Sequence, residues 1–168
     1  MIFVVQGTFA VSNKTDEIIH TLLGSCVATC LYDPVVRVGG LNHYLLSGEN
    51  HAGSNSLSYG TNAMEMLINA LMRLGARREN LQAKLFGGAS LIASGRDIGA
   101  QNGEFGKRFL ERERITLLSA SLGGTQARKI RMNATTGHVQ QMFVQEQVPV
   151  VVQKPMAKRA PADDLELF

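Results

Sequence analysis
Two adjacent apolar stretches, residues 24–33 and 38–46, constrain the fold of this chain more than any other feature. Asp33-Pro34-Val35-Val36 joins them. An acceptor side chain at the first position and a preset φ at the second suit a type I turn. The pair therefore predicts a β-hairpin. A turn centred between Pro34 and Val35 places Tyr32 opposite Arg37, Cys30 opposite Gly39 and Cys26 opposite His43. Directly opposed residues on one face of an antiparallel pair have Cβ atoms roughly 4.5–5.5 Å apart. A thiol and an imidazole at that separation can exchange a proton, so the spacing points to a Cys–His nucleophile pair. A slip of one residue would send them to opposite faces.

The rest of the chain reads as support for that hairpin. Residues 2–5 and 8–11 are short strands divided at Gly7, and 17–23 is a third strand feeding Gly24. Residues 47–60, rich in Ser, Gly and Asn, predict a surface loop beside His43, where a lid would be useful. From Thr61 the period becomes helical, with Ala63, Leu67, Ala70, Leu71 and Leu74 inward. Asn62 and Glu65 are spaced as a capping box, and Gly75 is the stop. Met64, Met66 and Met72 read as core filler.

A strand is expected over 81–86, broken by Gly87-Gly88, and an irregular stretch over 95–103. A second helix is expected over 104–114 with Phe105, Phe109 and Leu110 inward. A strand follows over 115–121, then a hairpin of 127–132 and 138–144 around Thr136-Gly137. Residues 148–152 form a last strand, at an edge because Pro149 cannot join a ladder. The predicted fold class is α+β: a mixed or antiparallel β-sandwich with flanking helices. One domain is expected over 1–153, with a flexible tail over 154–168 ending in Asp163-Asp164-Leu165-Glu166-Leu167-Phe168.

Composition narrows the function classes. With 45% apolar and 18% charged residues in 168, the chain is long enough for a sizeable core and too apolar for disorder. The net charge of +3 comes from scattered residues, with no basic stripe and no Trp; nucleic acid is not an expected partner. No apolar run approaches the ~20 residues of a membrane span, so a cytoplasmic protein without membrane insertion is expected. Two cysteines without a disulfide framework fit a reducing compartment.

Three features favour Cys26 as a nucleophile over a buried small hydrophobe. Gly24-Ser25 leaves backbone N–H groups uncovered beside the thiol, as an oxyanion site requires. His43 is the cross-strand neighbour. Thr21 lies just upstream, with a hydroxyl that can accept the imidazole's other N–H and hold its tautomer. A thiol beside imidazolium ionises readily, so a weak orienting group suffices. The rival chemistry is zinc on Cys26, Cys30 and His43. Four strand residues span roughly 13 Å, too far for two thiolates at ~2.3 Å from one ion; a helical segment would bring them together. No metal or cofactor is therefore expected. His20, His51 and His138 read as ordinary strand, loop and turn histidines, with His20 near the site but not the expected base, and Gly87-Gly88-Ala89-Ser90 lacks the Lys of a phosphate loop. It reads as a close-packed turn lining the Cys26 site.

The pieces Leu22-Leu23-Gly24-Ser25-Cys26-Val27-Ala28, Tyr32-Asp33-Pro34 and His43 resemble the CheD family, the chemoreceptor glutamine deamidases of bacterial chemotaxis. So do Leu74-Gly75-Ala76, Lys84-Leu85-Phe86-Gly87-Gly88-Ala89, Ile98-Gly99-Ala100-Gln101-Asn102 and Leu122-Gly123-Gly124 with Arg128. The resemblance runs from about residue 4 to 145. It implies a Cys–His–Thr hydrolase similar to toxin-type cysteine deamidases, with Cys26 as nucleophile, His43 as general base and Thr21 orienting it. The substrates implied are side-chain amides of glutamines on methyl-accepting chemotaxis receptors, and a CheC-type phosphatase is the implied partner. Gly24, Ser25 and the Cys26 backbone would hold the oxyanion, and Gly88 and Asn102 would line the peptide groove. Two other readings use the same residues or none: a glutamyl methylesterase, and a non-catalytic module binding receptor helices and a phosphatase.

Overall fold
The computed structural model describes residues 1–46, 54–91 and 97–144. The strands are β1 (Ile2–Phe3), β2 (Phe9–Ser12), β3 (Ile18–Leu23), β4 (Val27–Asp33), β5 (Val38–Asn42), β6 (Gln82–Gly87), β7 (Thr116–Leu122), β8 (Arg128–Asn133) and β9 (Val139–Phe143). Helix α1 (Ser54–Arg73) separates β5 from β6, and α2 (Ile98–Arg112) separates β6 from β7. A four-stranded sheet runs in the order β1-β3-β8-β9 and a five-stranded one in the order β2-β5-β4-β6-β7. Pairs β1/β3 and β6/β7 are parallel and the others antiparallel. The fold is the predicted α+β sandwich with flanking helices.

The layers follow from which faces are apolar. Strand β3 alternates, with Ile19, Thr21 and Leu23 buried and His20 and Leu22 turned outward, so its sheet faces the core on one side only. Strand β4 is buried along both faces. Its Ala28 and Cys30 meet Ile19, Leu23, Ile130 and Met132 of the other sheet. Its Val27 and Leu31 meet Leu67, Ile68 and Leu71 of α1 and Phe109 and Leu110 of α2. Burial of each such aliphatic side chain contributes about 1.5–3 kcal/mol. The order is sheet, sheet, helices.

The hairpin forms, two residues out of the predicted register. Tyr32 pairs with Gly39 and Cys30 with Leu41, and Val27 bridges Tyr44. Asp33 is the cause. Its carboxylate accepts the N–H groups of Val35 and Val36, at 2.8 and 3.3 Å, and its carbonyl accepts Arg37 N–H at 2.9 Å. That wraps four residues into the loop, and Arg37 closes it at φ 56°. Because side chains alternate with period two, a slip of two keeps Cys26 and His43 on one face. They become diagonal neighbours, and Ala28 stands opposite His43.

Both helices begin earlier than their periodicity suggests. Residues 54–60, expected in a loop, are the first two turns of α1. Asn62 and Glu65 are therefore mid-helix and form no capping box; Glu65 instead meets Arg78 at 2.9 Å. The C-terminal stop is as expected. Gly75, at φ 98°, donates to Met72 O and Ala76 to Leu71 O, the two bonds of a Schellman ending. Of the three methionines only Met64 is core; Met66 and Met72 are exposed.

Helix α2 opens at Ile98, capped by Asp97, whose carboxylate accepts Ala100 N–H at 2.9 Å. Its glycines argue against helix in a sequence, yet here they admit neighbours: a Cβ on Gly99 would lie 2.7 Å from the Ala89 carbonyl, and one on Gly106 would lie 2.6 Å from the Tyr44 hydroxyl. The strand expected over 148–152, His51 and the tail boundary at 153/154 lie outside the described residues.

Candidate active site
Two chain segments cross from one sheet to the other at the same end of the sandwich. Gly24-Ser25-Cys26 links β3 to β4, and residues 4–8 link β1 to β2. Backbone groups change partners at such a crossover, so several are free to hold side chains, and the predicted residues gather there.

Thr21 is buried at 2% exposure and His43 at 7%. Thr21 Oγ1 lies 2.8 Å from His43 Nδ1 and donates to the Val4 carbonyl at 2.7 Å. A hydroxyl has one proton to donate. Since Val4 takes it, the Nδ1 contact requires the proton on the ring: Nδ1–H donates to Thr21. Nε2 is thereby left as the unprotonated ring nitrogen; it is buried and has no hydrogen-bond partner among the described residues. The imidazole backbone is clamped too, with Gly7 N–H donating to His43 O at 2.7 Å and His43 N–H to Thr8 O at 3.0 Å.

Cys26 is half-buried, and its thiol donates to Gln6 Oε1 at 3.4 Å. Burial pushes the thiol above its ordinary value, opposed by the N–H of Cys26 itself, which lies within reach of the sulfur. Burial also holds the His43 imidazole below its ordinary value, against the opposing pull of the Val4 carbonyl. Both directions favour the neutral thiol and neutral imidazole at rest. The ready ionisation beside an imidazolium expected from the sequence is not what these directions favour.

The remaining predicted residues sort by burial. Gly88 N–H donates to the Cys26 carbonyl at 2.8 Å, and Ala89 N–H to the Gly24 carbonyl at 2.8 Å. The Gly87-Gly88 turn is thus packed under Cys26. Ser25 and Cys26 N–H groups donate to no backbone carbonyl among the described residues, which keeps them available as donors. Asn102, expected in a substrate groove, is fully buried and touches no groove. It is a brace: Nδ2 donates to the Ser25 carbonyl and Oδ1 accepts Leu46 N–H, each at 2.8 Å. His20 faces away from the site and lies against Phe3, ring centroids 5.1 Å apart. Ser90 is exposed, and its N–H donates to Gly124 O at 2.8 Å.

Cys30 lies in the core between the sheets, with burial pushing its thiol up to about 12 despite Lys84 nearby. The strand conformation of β4 keeps it two full strand repeats beyond Cys26, so the helical geometry that zinc would need is not realised. Among the described residues no three His, Cys, Asp or Glu side chains gather as a metal site, and no helix is long and apolar enough to cross a membrane. Sequence reasoning missed Gln6 and the Val4 carbonyl. The one signal was Gly7, which marks the turn that presents them.

A family model described as CheD chemotactic sensory transduction matches residues 45–159. That match begins just past His43, but full-length relatives span the earlier residues. A probable chemoreceptor glutamine deamidase CheD 1 of Ruegeria sp. (strain TM1040) is 44% identical over 98% of this chain and 94% of its own length. A probable chemoreceptor glutamine deamidase CheD of Caulobacter sp. (strain K31) is 43% identical over 99% and 92%. Among solved structures, the Bacillus licheniformis hypothetical protein YfiH is similar over 70% of this chain and 51% of its own, with 15% identity and a TM-score of 0.47, a likeness too slight to carry weight.

Proposed function
The chain belongs to the CheD family, and from that premise we propose that it deamidates glutamine side chains of chemoreceptors by way of a Cys26 thioester. One observation carries the chemistry: Thr21, itself tied to Val4, holds the His43 proton on Nδ1 and leaves Nε2 without a partner. A base needs a bare lone pair in a fixed orientation, and this arrangement supplies it.

Nε2 takes the thiol proton as the sulfur attacks the amide carbon. The carbonyl oxygen becomes an oxyanion, held by the N–H groups of Ser25 and Cys26, which donate to no backbone carbonyl among the described residues. The protonated imidazole then delivers its proton to the departing nitrogen, and ammonia leaves. Water, activated by the same Nε2, hydrolyses the thioester, regenerating the thiol and leaving glutamate. The substrate class comes from the relatives' names, and a substrate on the receptors' cytoplasmic helices would put the reaction in the cytoplasm. Each turnover exchanges a neutral amide for a carboxylate on a receptor helix, which gives the cell a means of tuning adaptation.

The test is mass spectrometry of a chemoreceptor cytoplasmic fragment incubated with the protein and with its Cys26→Ala form. Conversion of glutamine to glutamate by the first and not by the second is the expected result. Binding without conversion by both would leave the non-catalytic docking module as the function.

A further inference from the structure
The turn that crosses between the sheets presents one side chain for which the reaction above has no use. Thr8 N–H donates to Val5 O at 3.1 Å, and Gly7 has φ 83°. A positive φ at the third position makes this a type II turn, with exposed Gln6 at its second position. An exposed glutamine normally extends into water. Here the backbone on both sides is anchored, Val4 N–H to His20 O at 2.9 Å and Gly7 N–H to His43 O at 2.7 Å. The Tyr59 hydroxyl of α1 stands beside Gly7, 3.2 Å from where a Cβ would lie. From this anchored turn the Gln6 carboxamide reaches the sulfur, Oε1 at 3.4 Å.

We propose that Gln6 is a further catalytic residue, whose carboxamide N–H donates to the ionised Cys26 sulfur and then to the oxyanion. This rests on the deamidase reading above. In the resting thiol, Oε1 accepts the S–H. Once that proton has passed to His43, an acceptor oxygen facing a sulfur anion is unfavourable. The terminal torsion of glutamine is broad and two-fold, so a half-turn exchanges Oε1 for Nε2. The Nε2–H then makes a charge-assisted hydrogen bond to the thiolate. The tetrahedral oxygen forms on the carbon bonded to that sulfur, within reach of the same N–H. Gln6 forms and breaks no covalent bond. Burial of Cys26 disfavours its anion, and a polar donor at the sulfur offsets that burial.

The experiment compares wild type, Gln6→Ala and Gln6→Glu in receptor deamidation, and measures the pH dependence of Cys26 alkylation by iodoacetamide without substrate. The expected result for Gln6→Ala is a fall in kcat of about 10²-fold, with KM changed less than about twofold. Its alkylation profile should shift to higher pH. Gln6→Glu, which accepts the S–H but cannot donate as a carboxylate, should lose as much activity and shift further. An unmoved alkylation profile, or a loss confined to KM, overturns the proposal. So does a gain in mass at Gln6 in wild type that is absent from Cys26→Ala, since Gln6 would then be a substrate. Failure of wild type to convert any receptor glutamine would sink the deamidase reading instead. The alkylation comparison uses no glutamine substrate and would still decide for or against Gln6.

Discussion
In the proposed mechanism Thr21 acts only through His43, so its removal should alter rate more than binding. Thr21→Val keeps the volume but leaves Nδ1–H and the Val4 carbonyl without their partner, both buried. We expect kcat to fall about 10- to 100-fold through loss of the oriented base, with Thr21→Ser restoring most of it. Steady-state kinetics on a receptor fragment read this directly. The pH dependence follows from the direction of the His43 shift. An imidazole held below 6.5 stays deprotonated, and so competent as a base, to lower pH than a free one. The acid limb of kcat/KM should therefore fall below pH 6.5. A limb above that value would mean that His43 is stabilised as a cation. At this scale the Thr21–His43 contact joins two residues that the sequence singled out by side-chain type, and strand parity keeps Cys26 on the His43 face. Gln6 was not legible, since Gly7 marks only a turn, and nothing local shows an exposed glutamine touching a residue twenty positions later.

Among elements, α2 is where local and tertiary preferences conflict most. Gly99, Gly103 and Gly106 lower its helix propensity, at up to ~1 kcal/mol each relative to Ala, and the irregular stretch expected over 95–103 followed from that. The helix forms because its glycines sit against β6, β7 and Tyr44, where a Cβ would intrude. This separates two substitutions. Gly99→Ala meets the backbone carbonyls of Gly88 and Ala89, which cannot yield without moving the turn beneath Cys26. We expect a loss of about 1–3 kcal/mol, or about 3–10 °C in Tm, together with reduced activity. Gly103→Ala meets only the end of the Leu122 side chain, 3.2 Å away; its gain in propensity should offset the contact, leaving Tm within about 2 °C. Paired thermal melts check both. Equal losses would show that packing against Gly88 is not what α2 requires.

Across the whole molecule, Asp33 ties the hairpin loop to the connection between α1 and β6. It is fully buried. Its Oδ2 accepts Arg77 N–H at 2.9 Å and Asn80 Nδ2 at 3.5 Å, while Oδ1 serves the loop. Burial alone would raise its carboxyl; the hydrogen bonds from Arg77, Val35, Val36 and Asn80 outweigh burial and hold it below its ordinary 3.8. A carboxyl lowered on folding stabilises the fold above its unfolded value of 3.8, and that contribution disappears as pH falls through the lower folded value. Asp33→Asn should cost about 1–3 kcal/mol near neutrality, because an amide nitrogen would face a donor. It should also flatten the acid-side loss of stability that wild type shows. Urea midpoints at neutral pH and below pH 4 measure both effects.

Strands, the strongly periodic half of α1 and the turn glycines were determined by the sequence itself, because alternation, helical period and turn chemistry are local properties. The hairpin register was not, because a buried Asp33 binding two neighbouring N–H groups wraps four residues where a free turn would take two. The start of α2 and the burial of Asn102 were decided by packing between elements distant in sequence. The active centre belongs to both. Its side chains could be read from residue types and spacing, but the His43 proton is placed by the Val4 carbonyl. A carbonyl that every residue possesses acquires that role only when the fold brings it there.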